Sequence, residues 1–172
     1  MQRKGVSEEY AIREASRRTT LIGALMVNNG DADAMLCGTI ANFDIHLRHI
    51  DDVIGLRRGV SRYAAMNVLI LPGRTIFICD TYVNINPDAE QIADITILAA
   101  EEGRRFGLVP NIALLSHSNF GTSRDISAQK MSFAREMIIE RDPTLKVEGE
   151  MHGDAALDEQ IRQKIFPNSQ IP

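Results

Sequence analysis

Apolar and polar positions along this chain follow a helical period in some stretches and a strand-like period in others, and the changeovers outline its elements. From Ser7 to Val27, "SEEYAIREASRRTTLIGALMV" opens on a Ser and an acidic first turn and then loses its charges, which predicts one helix with buried later turns. "NNGDAD" stops that helix, and "AMLCG", residues 34 to 38, reads as a short buried strand. In "NFDIHLRHIDDVIGL" Phe43, Leu47, Ile50 and Ile54 fall on one helical face. The basic, glycine-containing "RRGVSR" at residues 57 to 62 predicts a boundary, with residues 1–59 in a first lobe and 60–172 in a second.

Past that boundary, the two apolar runs of "YAAMNVLILPGRTIFICDTYVN" are joined by Pro72-Gly73, which predicts a β-hairpin. In "NPDAEQIADITILAAEEGRRFG", Asn86 is suited to cap a helix, Pro87 to open it, and Asp88 and Glu90 to face its positive end. Ile92, Ile95, Leu98 and Ala99 form its apolar stripe and Gly107 its stop. A strand over Ile112 to Ser116, a helix around "DISAQKMSFAREMIIERD", a strand at "LKVEGEM" and a helix at "DAALDEQIRQKIF" complete the order. Strands alternating with helices of this length imply an α/β fold in which helices cover a mostly parallel sheet.

Composition narrows the function without naming it. The 172 residues are 44 % apolar and 24 % charged, values of a packed globular chain. A net charge of -4 argues against a dedicated nucleic-acid binder, which needs a basic face. Residues 1–62 hold nine Lys/Arg against eight Asp/Glu, and the rest ten against fifteen, so any anion site is local. No stretch reaches the ~20 apolar residues that span a bilayer, and "MQRKGVSEEY" is too polar for a secretory signal. Cys37 and Cys79 make neither a metal spacing nor a disulfide framework, and the expected location is the cytoplasm, with no membrane or nucleic-acid partner.

Candidate chemistry gathers where strands are expected to end. In open α/β sheets, ligands bind beyond the carboxyl ends of strands, where loops lead into helix N-termini. "SHSNFGTS" occupies such a place, as do "CGTIAN" and "MHGDAA", although Ser, Asn, Gly and Thr are also the ordinary residues of tight turns. None of these loops is a dinucleotide or triphosphate loop. His46 and His49 are spaced as metal ligands can be, but they lack a third ligand and read as solvent-facing. His117 and His152 suit either acid–base work or a structural hydrogen bond. Asp80 and Asp154 are candidate carboxylates, Asp154 reading first as a helix cap. Arg48 either reaches an anion at the "CGT" loop or pairs with Asp44 or Asp52.

These segments resemble a known family. "ADAMLCG", "CDTYVNINPDAEQIADITILAAEEGRRFG", "ALLSHSNFGTS" and "VEGEMHGDAAL" are similar, in order and spacing, to segments of phosphate acetyltransferases, which exchange the acetyl group of acetyl-CoA with phosphate. "TTLIGALMV", "YAAMNVLILPGRTIFICDTYVN" and "MHGDAAL…IFPNS" look closer still to the acetyltransferase-like C-terminal region of long bacterial NADP-dependent malic enzymes. The resemblance implies a three-layer, mostly parallel sheet of the isocitrate/isopropylmalate dehydrogenase kind in two lobes, the second incomplete. It also implies that this is an internal piece of a longer chain. Its malic part, absent here, would decarboxylate malate with NADP and Mg or Mn, and a homo-oligomer, dimer or higher, would form.

The same resemblance supplies a site. It implies acetyl-CoA or phosphate binding at a cleft between the lobes by Cys37, Gly38, Thr39, Asn42, Arg48, Ser116, Ser118, Asn119, Gly121, Thr122 and Asp154. The transferase pattern has Ser-Gly-Ala at Cys37-Gly38-Thr39, hydroxyls at Asn42 and Phe43, an arginine matching Arg48, and matches at Ser116, Ser118 and Gly121. It has a lysine where Phe120 stands, and exchanging a phosphate-facing cation for a ring favours binding over phosphate transfer. The implied role is an acetyl-CoA-sensing regulatory module with no cofactor of its own. An active phosphate acetyltransferase is the alternative, and an assembly surface carried by the helix from Pro87 to Phe106 is the third reading.

Overall fold

The computed structural model describes residues 5–171, which divide into two compact units at the Val60–Ser61 junction. In the first unit α1 (Glu8–Ala15) is capped by the Ser7 hydroxyl, which accepts from the Tyr10 N–H. The single helix expected from Ser7 to Val27 is two helices: Arg18 is extended at φ -113° and α2 (Thr19–Asn29) restarts after it. The Ser16 hydroxyl donates to the Ile12 carbonyl at 2.8 Å, a local bond that competes with continuing the helix. Gly30 closes α2 in the left-handed conformation at φ 80°. α3 (Phe43–Val53) follows.

"AMLCG" is not a strand. Residues 34–38 are irregular and Leu36 is fully exposed, because a short apolar run becomes a strand only where a neighbouring strand completes its ladder, and none pairs with it among the described residues.

The second unit opens with the hairpin β1 (Met66–Leu71) and β2 (Arg74–Cys79), paired antiparallel from Met66–Cys79 to Leu71–Arg74. α4 (Ala89–Arg105) begins later than the Asn86–Pro87 expectation. Asp88 is its cap, accepting from the Gln91 N–H at 2.8 Å while the Gln91 side chain accepts from the Asp88 N–H at 3.1 Å. β3 (Asn111–Leu115), α5 (Ile126–Arg141) and β4 (Lys146–Met151) form a βαβ unit with β3 and β4 parallel. α6 (Gly153–Leu157) and α7 (Glu159–Ile165) replace the one helix expected there, because Asp158 is extended and caps α7 through the Gln160 and Ile161 amides. Asp154 does not cap α6, whose cap position is His152.

The fold is α/β, and its described sheets are two separate two-stranded pairs rather than one mostly parallel sheet. The reason is connection length: two residues turn β1 into β2 and force antiparallel pairing, whereas α5 provides the crossover that parallel β3 and β4 need. α4 and α5 bury Ile92, Ala93, Ala100, Ala134 and Ile138 with Leu114, Leu145 and Val147 of the βαβ unit. Each large aliphatic side chain so buried contributes roughly 1.5–3 kcal/mol. That packing fixes the strand ends from which the polar loops leave.

Candidate functional site

In the first unit, Thr19, Thr20 and Gly23 of α2 and residues Met35 to Thr39 line a cavity of about 390 Å³. Cys37, Gly38 and Thr39 are therefore brought together, all exposed, at one end of α2. Gly38 has φ 140°, Thr39 φ 67° and Ala41 φ 78°. A left-handed conformation costs a residue with a Cβ roughly 1–2 kcal/mol, so the loop is held by its surroundings rather than by its own preference. Asn42 precedes α3 with no side-chain capping bond, and Arg48 is exposed in the second turn of that helix. His46 is not solvent-facing as expected: Nδ1 lies 2.7 Å from the Thr20 hydroxyl and Nε2 2.8 Å from the Ile40 carbonyl.

The second unit carries Ser116, Ser118, Asn119, Gly121 and Thr122 in the loop after β3, and Asp154 in α6. The loop is organised around Glu150 of β4, a residue outside the candidate set, which is 1 % exposed. Its Oε1 accepts from the Ser118 hydroxyl at 2.9 Å and the Gly121 N–H at 2.7 Å, and its Oε2 from the Ser132 hydroxyl at 2.6 Å. Burial pushes this carboxyl up, but the donors from Ser132, Gly121 and Ser118 outweigh it and hold the group below its ordinary value. Two donors expected to meet a ligand anion thus meet an anion of the chain.

The rest of the loop is tied locally. The Asn119 amide accepts from the His152 N–H at 2.8 Å and its Nδ2 lies 3.2 Å from His152 Nδ1, so His152 is a hydrogen-bonded structural group here. The Thr122 hydroxyl accepts from the Asn119 N–H at 3.2 Å, and the Ser116 N–H donates to the Met151 carbonyl at 2.9 Å. The Asp154 carboxylate, exposed, accepts from the Ala155 N–H at 2.7 Å. His117 lies at the edge of bonding distance, 3.5 Å from the Ser123 hydroxyl.

Phe120 stands at φ 46°, and its ring stacks on Phe166 with centroids 4.4 Å apart and planes at 18°. Phe120 and Phe166 line a second cavity of about 330 Å³ with Ser132, Arg135, Glu148 and Glu150. Glu148, also buried, accepts from the Ser169 hydroxyl at 2.6 Å and from the Gln170 N–H. Ser169 accepts in turn from Arg162 Nε at 2.9 Å, and the buried Arg162 guanidinium also donates to the Ala155 and Ile171 carbonyls. Glu148 and Glu150 share one parity in "KVEGEM", but Val147 and Met151 of the other parity are buried too, so alternation does not single the two acids out.

Asp80, the other candidate carboxylate, is a structural hub. It accepts from the Ala65 N–H at 2.9 Å, the Asn84 N–H at 2.7 Å and the Asn84 side chain at 2.6 Å. Burial raises its pKa, but these bonds prevail and the carboxyl lies below its usual range. Among the described residues, no group of three His, Cys, Asp or Glu side chains is placed to hold a metal ion. No helix among them is long and apolar enough to cross a membrane.

Known proteins are similar to this chain in sequence and in fold. The chain is 52 % identical over 171 residues to the NADP-dependent malic enzyme of Escherichia coli (strain K12), covering 99 % of this chain and 22 % of that protein. It is 34 % identical over 170 residues to the phosphate acetyltransferase of Nitratidesulfovibrio vulgaris, again 99 % of this chain and 24 % of the relative. The chain thus spans about a fifth to a quarter of the length of these relatives. A phosphotransacetylase from Streptococcus pyogenes superposes with a TM-score of 0.83 at 27 % identity, over 98 % of this chain and 52 % of that one. The EutD phosphotransacetylase from Staphylococcus aureus gives a TM-score of 0.80 at 24 % identity over 99 % and 53 %, a likeness of fold. Residues 1–172 match the family described as phosphate acetyl/butaryl transferase, and the chain belongs to that family.

Proposed function

We propose that this chain is the phosphotransacetylase-like part of an NADP-dependent malic enzyme and that it binds acetyl-CoA as a regulatory ligand. What supports the parent assignment is the 52 % identity to a malic enzyme against 34 % to a phosphate acetyltransferase. In this proposal malate decarboxylation, NADP and the divalent metal belong to a separate malic part, and the chain works as a cytoplasmic homo-oligomer. The three-layer, dehydrogenase-like sheet stays within the proposal, since the described strands hold one parallel pair.

The observation that carries the regulatory role is Phe120. Where the transferase pattern has a lysine, this chain has a ring, and that ring is packed on Phe166. Attack of phosphate on a thioester needs fixed positive charge near the developing oxyanion, and an aromatic ring supplies none. In the first unit, Cys37, Gly38, Thr39, Asn42 and Arg48 are the residues proposed to contact the acyl carrier. Ser118 and Gly121 shape the loop from beneath through Glu150. The ligand acts by differing in affinity between states of the protein.

An active phosphate acetyltransferase is the second reading, favoured by Arg48, which is exposed on α3 and matches an arginine of that pattern. Calorimetry with acetyl-CoA, paired with an assay for acetyl phosphate, separates the two. Heat of binding without acetyl phosphate is the expected result. Turnover that disappears in Arg48→Ala establishes the transferase instead, and no heat at millimolar acetyl-CoA retires both.

A further inference from the structure

We infer that His46 is a positioning residue for the Cys37–Asn42 loop, fastening it to α2 and α3 in the conformation that receives the ligand; what the loop binds rests on the acetyl-CoA reading above. Three of the four residues Gly38, Thr39, Ile40 and Ala41 have positive φ, two of them with a Cβ, so the loop needs an external restraint. Its side chains do not provide one. Ile40 is 82 % exposed, and the Thr39 hydroxyl donates within the loop, to the Gly38 carbonyl at 2.6 Å.

The restraint is the main-chain carbonyl of Ile40, the one residue of the four whose φ is not positive, which accepts from His46 Nε2 at 2.8 Å. Among the described residues this is the hydrogen bond that ties residues 38–41 to a helix. A carbonyl only accepts, so Nε2 carries a hydrogen. Nδ1 is then free to accept from the Thr20 hydroxyl at 2.7 Å. Thr20 is 6 % exposed and lines the same cavity as Cys37, Gly38 and Thr39. The ring therefore cannot turn without breaking both bonds, and α2, α3 and the strained loop are joined through one imidazole.

The test reads loop order and affinity separately. In this chain, nitrogen-15 relaxation of the Thr39, Ile40 and Ala41 amides is compared among wild type, His46→Ala, His46→Gln and Thr20→Val, with calorimetry of acetyl-CoA on each. Removing the ring is expected to lower the order parameters of the three amides to flexible values, and to weaken acetyl-CoA roughly tenfold, the cost of one hydrogen bond. His46→Gln, whose amide keeps a donor for the Ile40 carbonyl, restores most of both. Thr20→Val leaves the ring but removes its orienting hydroxyl, and shifts both readouts in the same direction by a smaller factor, which decides the matter should His46→Ala fail to fold. Loop amides as rigid in the variants as in wild type overturn the assignment, as does a loosened loop with unchanged affinity. A loosened loop in a chain whose wild type gives no heat with acetyl-CoA keeps His46 as the loop's restraint and overturns the ligand reading instead.

Discussion

Burial alone would push the Glu150 carboxyl up, yet Ser132, the Gly121 N–H and Ser118 direct their hydrogens at it and hold it ionised. A carboxyl whose folded pKa is depressed stabilises the fold above its unfolded value, here the ordinary 4.5, and loses that contribution as pH falls through the folded value. Glu150→Gln keeps the shape and removes the charge. It is expected to lower urea stability by about 2–3 kcal/mol at pH 7, with the gap to wild type closing as pH drops below 4.5. A gap that stays constant down to pH 3 would show that the charge is not what the loop donors hold.

Next to it, Gly149 stands at φ 125°, and an added Cβ would lie 2.5 Å from the Leu114 carbonyl oxygen, where β3 and β4 shift register. The contact is with backbone, which cannot swing away. Gly149→Ala is expected to destabilise by about 3 kcal/mol in denaturant titration. Gly153→Ala, at a glycine with open space around it, serves as the control and changes stability by under about 0.5 kcal/mol.

At the scale of elements, what was legible is what local chemistry settles. α4 was readable from its stripe and its acids because those signals lie within the helix, and only the cap moved, from Asn86 to Asp88. The capping box explains the move: Gln91 is three residues after Asp88, so the two satisfy each other's amides, a pairing Asn86 has no partner for. Asp88→Ala is therefore expected to lower the urea midpoint by an amount worth about 1 kcal/mol, and Asn86→Ala by much less. Comparable losses from both would put the helix start back at Asn86.

Long-range partners were not legible. "AMLCG" has a strand's composition but, among the described residues, no neighbouring strand. Glu148, Glu150 and Arg162 look like surface residues until Ser169, Ser118 and Ser132 are seen to meet them from 7 to 32 positions away in sequence. The loop from Ser116 to Thr122 follows a strand as expected, whereas "CGTIAN" precedes α3 but has no strand before it among the described residues, because "AMLCG" forms none. Which of their donors stay free for a ligand depended on Glu150, and no local rule supplies that.

On the scale of the whole molecule, the two units are unequally endowed with core. Of the buried apolar residues described, Leu21 and Ala24 belong to Met1–Val60, and the remainder, from Ile92 to Ile171, belong to Ser61–Pro172. Free energies of local opening follow buried apolar contact, so the first unit opens at far lower cost than the βαβ core of the second. Arg57 and Arg58 are exposed, in the irregular segment after α3, and offer trypsin a site beside the junction. Brief digestion is expected to remove the first unit and leave a resistant fragment beginning near Gly59, while amide exchange shows protection concentrated in α4, β3, α5 and β4. Acetyl-CoA, if it binds the loop that His46 restrains, should slow the first cuts, because a ligand stabilises whatever folded segment it contacts. A fragment spanning residues 1–57 that outlasts the second unit would reverse this order and show that the first unit gains its stability from something other than the burial of Leu21 and Ala24.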